Sequence, residues 1–167
     1  MNLYNSIAQK YDAWYENPES MKENRLITMM LESFIHNRMV VDIGCGTGLL
    51  LDLHKVEVES YVGVDPSASM LSRLEKKHPC HRVINSEYRS EMAIEGAVHC
   101  ALFGSASYLT ELEICSLLER DHFLMFYRPG YVPKIYEGVT WPPEVQRFEV
   151  ERLDGTRFSD WVIVTNL

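Results

Sequence analysis

The stretch Asp42-Ile43-Gly44-Cys45-Gly46-Thr47-Gly48 closes an apolar run, Met39 to Ile43, and sets three glycines at alternate positions. Glycines so spaced let backbone come close to a ligand and adopt dihedrals that a side chain opposes. Seventeen residues beyond Gly48, a second apolar run, Tyr61-Val62-Gly63-Val64, ends in Asp65. A carboxylate at that place can accept two hydrogen bonds from a ribose diol. Free amides at the start of the helix after the glycines favour a carboxylate or phosphate. Each feature alone has a plain structural explanation: glycine turns follow strands without ligands, and an Asp before Pro66-Ser67 can cap a helix. Their order and spacing together read as half of a nucleotide-type site.

The elements that must position these residues alternate between strand and helix. Met39 to Ile43 is apolar on both faces, as a parallel strand under helices requires. Thr47 to His54 reads as a short helix, Tyr61 to Val64 as the second strand, and Ser67 to His78 as a helix with Ala68, Met70, Leu71 and Leu74 inward, stopped by Pro79. Arg82 to Asn85 is a weak third strand, Glu87 to Glu95 helix or turn, and Ala97 to Phe103 a central strand. Thr110 to Arg120 is a helix with a Thr110-to-Glu113 capping box, and His122 to Tyr127 a fifth strand. Ahead of them, Asn2 to Asn17 carries Tyr4, Ile7, Ala8, Tyr11, Trp14 and Tyr15 at three- and four-residue steps, a short helix broken by Pro18. From Met21 to His36, Leu26, Ile27, Met30, Leu31, Phe34 and Ile35 form one helical stripe. After an irregular Pro- and Gly-bearing stretch, Phe148 to Leu153 and Trp161 to Leu167 form a strand pair around Asp154-Gly155-Thr156, an antiparallel edge.

Composition narrows the function. A chain of 167 residues is expected to be one domain, with 46% apolar and 24% charged residues in the globular range. The net charge of −8 argues against a nucleic-acid partner, which needs clustered Lys and Arg. The cluster of Arg73, Lys76, Lys77 and Arg82 is better explained as a solvated helix face. No segment has the length of a membrane span, and the N-terminus lacks signal-peptide regions. Cys45, Cys80, Cys100 and Cys115 form no paired motif, so reduced thiols and a cytoplasmic location are expected, with no metal site. Cys45 fits its tight turn by size better than as a reactive thiol.

VVDIGCGTG followed by YVGVDPSASML resembles the cofactor-binding half of the class I S-adenosylmethionine-dependent methyltransferases, of the small-molecule type. The resemblance runs over nearly the whole chain. It implies an α/β fold: a Rossmann-like, mostly parallel sheet with an antiparallel C-terminal strand and helices on both faces. Residues 1–167 would be a single domain, with 1–20 as an N-terminal lid. It implies S-adenosyl-L-methionine as cofactor and S-adenosyl-L-homocysteine as product. Asp42 would receive the methionine amino group, Gly44, Cys45 and Gly46 would lie beneath the methionine portion, and Gly48 would open the next helix. Asp65 would hold the ribose, with Pro66, Ser67 and Met70 near adenine. Ser86 or Glu87 would supply the contact after strand three, where the family's usual Gly-Asp is missing. Gly96 stands where the family has an acidic residue before strand four, and Phe103 and Ser105 would sit at the cleft.

The acceptor wall is expected from Tyr11, Tyr15, Phe103, Ser105, Tyr108 and Arg128. Tyr11 and Tyr15 belong to a YDxxY segment that in similar enzymes closes over the methionine part; aromatic faces suit a sulfonium and closure excludes water. The acceptor would be a small molecule methylated on N or O. No residue is assigned as catalytic base, since alignment of nucleophile and methyl can suffice; His99, within its strand, is better read as structural. Neither the Asn/Asp-Pro-Pro-Tyr/Phe motif nor a Pro-Cys pair is present, which weighs against a nucleic-acid substrate. Monomer and homodimer both stay open. The alternatives are a catalytically silent S-adenosylmethionine-binding protein acting through a partner, and a nicotinamide-dependent reductase. The last lacks the GxGxxG spacing. An open pocket beyond the methyl would favour catalysis; packed side chains there would favour the silent protein.

Overall fold

The computed structural model describes residues 3–127, 143, 146–151 and 159–167. Seven strands form one sheet: β1 Val40–Ile43, β2 Tyr61–Asp65, β3 Arg82–Asn85, β4 Val98–Ala101, β5 His122–Tyr127, β6 Gln146–Glu151 and β7 Ser159–Thr165. Their order is β3-β2-β1-β4-β5-β7-β6. β1 to β5 pair in parallel, and β7 runs antiparallel to both β5 and β6. The expected mostly parallel sheet with an antiparallel C-terminal strand is present.

Five helices flank it: α1 Leu3–Tyr11, α2 Pro18–Ile35, α3 Leu49–Leu53, α4 Ala68–Lys77 and α5 Glu111–Leu118. One sheet face packs Val41, Ile43, Val62, Val64 and Leu124 against Ile114, Leu117 and Leu118 of α5. The other packs Val40, Val98, Cys100, Phe123 and Met125 against Ile27 and Leu31 of α2, Leu50 of α3 and Leu71 and Leu74 of α4. Helices therefore cover both faces, and β1, β2 and β4 sit fully buried between them.

Local chemistry fixes the helix starts. Pro18, expected to break the first helical segment, also begins α2, where its missing N–H costs nothing and Asn17 caps the amide of Ser20 at 2.9 Å. Ser67 caps α4 and Thr110 caps α5, the latter by the expected capping box with Glu113. Glu87 to Glu95 holds only a short 3-10 turn, Ser90–Met92.

The stripe on α2 differs from the sequence reading. Asn24, Ile27, Thr28, Leu31 and Ile35 are the buried positions, while Leu26 and Met30 are exposed. Two polar residues hold the inward face. Thr28 does so by donating its hydroxyl to the carbonyl of Asn24 at 2.9 Å, so a purely apolar count points about one residue off. On α4, Met70, Leu71 and Leu74 face inward as expected and Ala68 does not.

Candidate cofactor and acceptor site

The winding of the sheet reverses between β1 and β4, which lie side by side while their connections leave in opposite directions. A crevice at the carboxyl ends of such strands is the usual ligand site of an open α/β sheet. Here the glycine loop after β1 faces the turn after β4, and Ser105 Oγ donates to the Gly44 carbonyl across the gap at 3.2 Å. A cavity of about 30 Å³ lies between them, bordered by Asp42, Gly44 and Gly46 on one side and Leu102, Phe103 and Ser105 on the other, with Tyr11 over it.

The loop is shaped for close approach. Gly46 has φ +54°, and a Cβ added there would meet nothing nearer than the Gly44 carbonyl oxygen at 3.9 Å. It therefore faces open space. Gly44, by contrast, is wedged: a Cβ there would come within 2.5 Å of Ser105 Oγ. Phe103 also takes a positive φ, +50°, so the turn after β4 is held in an uncommon conformation that exposes it to the crevice.

Asp42 is buried at the end of β1 and accepts from Tyr61 OH at 2.8 Å. Burial pushes its carboxyl up to about 7, against the Tyr61 hydrogen bond and reinforced by nearby Asp65. An ammonium group in the cavity would be a fitting partner for it. Asp65 accepts from the amides of Ser67 at 2.7 Å and Gly46 at 3.0 Å, which restrain the upward shift that burial imposes. Its carboxylate thus ties the β2 loop to the glycine loop. Burial also pushes the Cys45 thiol well up, so it stays protonated and fills the turn.

The N-terminal segment is docked over this edge. Asn5 Oδ1 accepts from Ser67 Oγ at 2.7 Å and from the Ser69 amide at 3.3 Å. Asp12 accepts from Thr47 Oγ1, pairs with Arg73 at 3.0 Å and lies 3.8 Å from Lys77. Ser67, placed by sequence beside adenine, has no exposed surface, so that side of the site lies under α1. Tyr4 donates to Tyr108 OH at 2.9 Å, Tyr11 and Tyr15 share a hydrogen bond of 3.1 Å, and Tyr15 packs on Phe103. The rings of Tyr108, Tyr127 and Trp161 continue this contact along the cleft. Burial pushes the hydroxyls of Tyr4, Tyr11 and Tyr15 up, so at neutral pH they donate hydrogen bonds and do not act as bases.

A second cavity, about 510 Å³, opens behind Tyr11, Thr47 and Leu49, which also border the first. It lies between the segment around Tyr15, α2 and α3.

Of the sequence-predicted residues, the structure gathers Asp42, Gly44, Cys45, Gly46, Phe103, Ser105 and Tyr11 around the small cavity. Asp65 and Ser67 stand at its flank, joined to it through Gly46. Gly48 caps α3 with φ +89°. Tyr15 borders the large cavity, and Tyr108 is exposed at the rim. Met70 is buried in the core and Pro66 is exposed on the surface; neither borders a described cavity, and nor do Ser86 and Glu87 after β3. Arg128 falls outside the described residues. His99 and His122 are buried within the strands, their rings held neutral first of all by burial, and border neither cavity. Sequence reading missed Asn5, Asp12 and Thr47. Asp12 lay in view inside the YDxxY segment, and Thr47 inside the glycine loop. Among the described residues no group of three or more His, Cys, Asp or Glu could hold a metal, and no helix is long and apolar enough to cross a membrane.

A family profile described as a methyltransferase domain matches residues 40–119, which span β1 through α5. Solved structures with the same fold include magnesium protoporphyrin IX methyltransferase (ChlM) from Synechocystis PCC 6803 with bound SAM. It is 15% identical, with 98% of this chain and 96% of that one covered and a TM-score of 0.61. A proposed RNA methyltransferase, PH1948 from Pyrococcus horikoshii, is 15% identical over 92% and 87% of the two chains, with a TM-score of 0.56. DesVI from Streptomyces venezuelae is 20% identical with a TM-score of 0.53; 87% of this chain aligns but spans only 65% of DesVI. No curated protein matches the sequence.

Proposed function

We propose, from a fold shared with the class I S-adenosylmethionine-dependent methyltransferases, that the chain transfers a methyl group from S-adenosylmethionine to N or O of a small molecule. The observation that carries the reading is the crevice between β1 and β4. There a glycine facing open space, a buried carboxylate and Asp65 on the adjacent strand stand in the order a methionine end and a ribose require. SAM bound in the similar ChlM structure supports the same cofactor here.

In this reading Asp42 receives the methionine ammonium, which satisfies a carboxylate that otherwise accepts, among the described side chains, from Tyr61. Gly44 and Gly46 let the backbone approach, and Asp65 exchanges its loop amides for the ribose hydroxyls. The cofactor, when bound, supplies an activated methyl. The protein's part is alignment and exclusion of water, through Phe103 below and Tyr11 and Tyr15 above. The phenols of Tyr11 and Tyr15 hold their protons, so neither serves as a base at neutral pH.

Fold likeness extends to a proposed RNA enzyme, so the choice of acceptor rests on this chain's own residues. A net charge of −8 supports a small molecule over a nucleic acid. A cytoplasmic setting, supported by four cysteines in no paired motif, belongs to the same proposal. One observation favours the second reading, a silent cofactor-binding protein: the aromatic rings of Tyr4, Tyr15, Phe103 and Tyr108 pack against one another along the wall expected from sequence to face the acceptor. Incubation with methyl-labelled S-adenosylmethionine and fractionated small metabolites separates the two. Label in a small-molecule product supports transfer; cofactor binding with no labelled product from any fraction supports the silent protein.

A further inference from the structure

The cavity of about 510 Å³ behind Tyr11 is within the size range of small-molecule sites, about 300–1,000 Å³. Its walls are of two kinds. Met21, Leu53 and the rings of Tyr11 and Tyr15 offer apolar and aromatic surface. Between them stands Asn24, only 4% exposed, whose carboxamide has no hydrogen-bond partner among the described residues. As part of the cavity wall it is free to bond a ligand there. At the mouth are two charges of opposite sign, Arg25 and Glu16, and neither forms an ion pair among the described residues. The remaining charged groups on the wall are already matched: Asp12 with Arg73 and Lys77, and Asp52 with Lys77 at 2.5 Å and His78 at 2.8 Å.

We propose that this chamber is the acceptor site and that it takes a small amino-carboxylate with an apolar body. The carboxylate sits at Arg25 and the Asn24 amide, the amino group points toward Glu16 and the phenol faces, and the body lies on Met21 and Leu53. The proposal rests on the methyltransferase reading. It uses the two unmatched charges and the unmatched amide together, where a plain acid leaves Glu16 facing like charge and a plain amine leaves Arg25 without a counter-ion. Aromatic faces suit the ammonium. The chamber shares Tyr11, Thr47 and Leu49 with the glycine-loop cavity, so the two adjoin.

The test is calorimetric and independent of turnover. Protein saturated with S-adenosylhomocysteine is titrated with leucine, phenylalanine and tryptophan, then with their amides and N-acetyl derivatives. At least one free amino acid should bind about tenfold more tightly than either of its capped forms. Arg25→Gln should erase the preference over the amide, and Glu16→Gln the preference over the N-acetyl form, with S-adenosylhomocysteine affinity unchanged in both. Absence of binding by all three amino acids, or equal binding of free and capped forms, overturns the proposal. So does a tenfold loss of S-adenosylhomocysteine affinity in Arg25→Gln, which assigns the chamber to the cofactor's own methionine end. Failure of wild-type protein to bind S-adenosylhomocysteine at all defeats the cofactor reading instead.

Discussion

Replacing Asp12 by Asn should tighten cofactor binding. Docked α1 covers Ser67 and leaves about 30 Å³ over the glycine loop, far less than the cofactor needs, so entry requires α1 to lift. Asp12 is the charged part of what holds the segment, joined to Thr47, Arg73 and Lys77. The side chains are 26%, 35% and 30% exposed for Asp12, Arg73 and Lys77, so solvent screens these pairs. Pairs of this kind contribute about 0.2–1 kcal/mol each. Asn keeps an oxygen for Thr47 and loses only the charge, a change of roughly 1 kcal/mol for both pairs together. That shifts the docked-to-lifted ratio about fivefold, and because this docked pose admits no ligand and closure over bound cofactor requires a different pose of the segment, apparent affinity rises by about the same factor. Calorimetry with S-adenosylhomocysteine at low and high salt reads it: wild type gains affinity as salt screens the pairs, the variant does not. Burial pushes the Asp12 carboxyl up, but the Thr47 and Arg73 hydrogen bonds and the Lys77 charge outweigh it and leave the group below its ordinary value. The attraction is therefore fully present above the free carboxylate value of about 3.9 and disappears only as pH falls through the lowered one. Salt, not pH between about 5 and 8, is the lever. Faster hydrogen exchange over residues 3–11 with unchanged or weaker affinity would refute the claim that docking competes with the cofactor.

Other expectations follow from the same geometry. Gly46→Val should abolish cofactor binding while lowering stability by only about 1–2 kcal/mol, because its branch enters open space and the cost is the positive φ; normal binding with an unchanged melting temperature would remove the loop from the site. Gly44→Ala should destabilise more, since its Cβ meets Ser105, and the two melting curves should rank accordingly. Asp42, raised to about 7, favours the folded state when protonated, so its contribution to stability falls as pH rises from about 4 to about 7 and is flat above. An ammonium bound beside it would expel that proton, about 0.5 per site at pH 7, visible as a buffer-dependent binding enthalpy that Asp42→Asn removes. Tyr11→Phe loses the bond to Tyr15 and should change turnover less than about tenfold, because that hydroxyl cannot act as a base; a much larger fall with unchanged binding would give the hydroxyl a chemical role.

The parallel half of the sheet was legible because each strand announces itself. β3 and β5 match the sequence reading residue for residue, and the Thr110–Glu113 capping box and the glycines mark turns between strands. Asp42, Gly44 and Gly46 were legible for the same reason: a strand ending and a loop bring them together locally. Long-range contacts were not. Nothing in the spacing of Asn5 and Ser67, 62 positions apart, shows that they bond, or that Asp12 reaches Thr47, 35 positions on. The inward face of α2 was misjudged because Asn24 and Thr28 are polar, and their burial depends on a cavity and a backbone carbonyl that only the assembled structure supplies.

The central claim is that the β1–β4 crevice with Asp65 binds S-adenosylmethionine. Calorimetric titration of wild type and Asp65→Ala with S-adenosylmethionine, S-adenosylhomocysteine and NADH tests it most directly. Both sulfur cofactors should bind wild type and NADH should not. Asp65→Ala should weaken S-adenosylhomocysteine by about 1–3 kcal/mol, the value of lost charge-assisted hydrogen bonds. No heat with either sulfur cofactor, binding of NADH in their place, or full affinity in a folded Asp65→Ala would contradict the account.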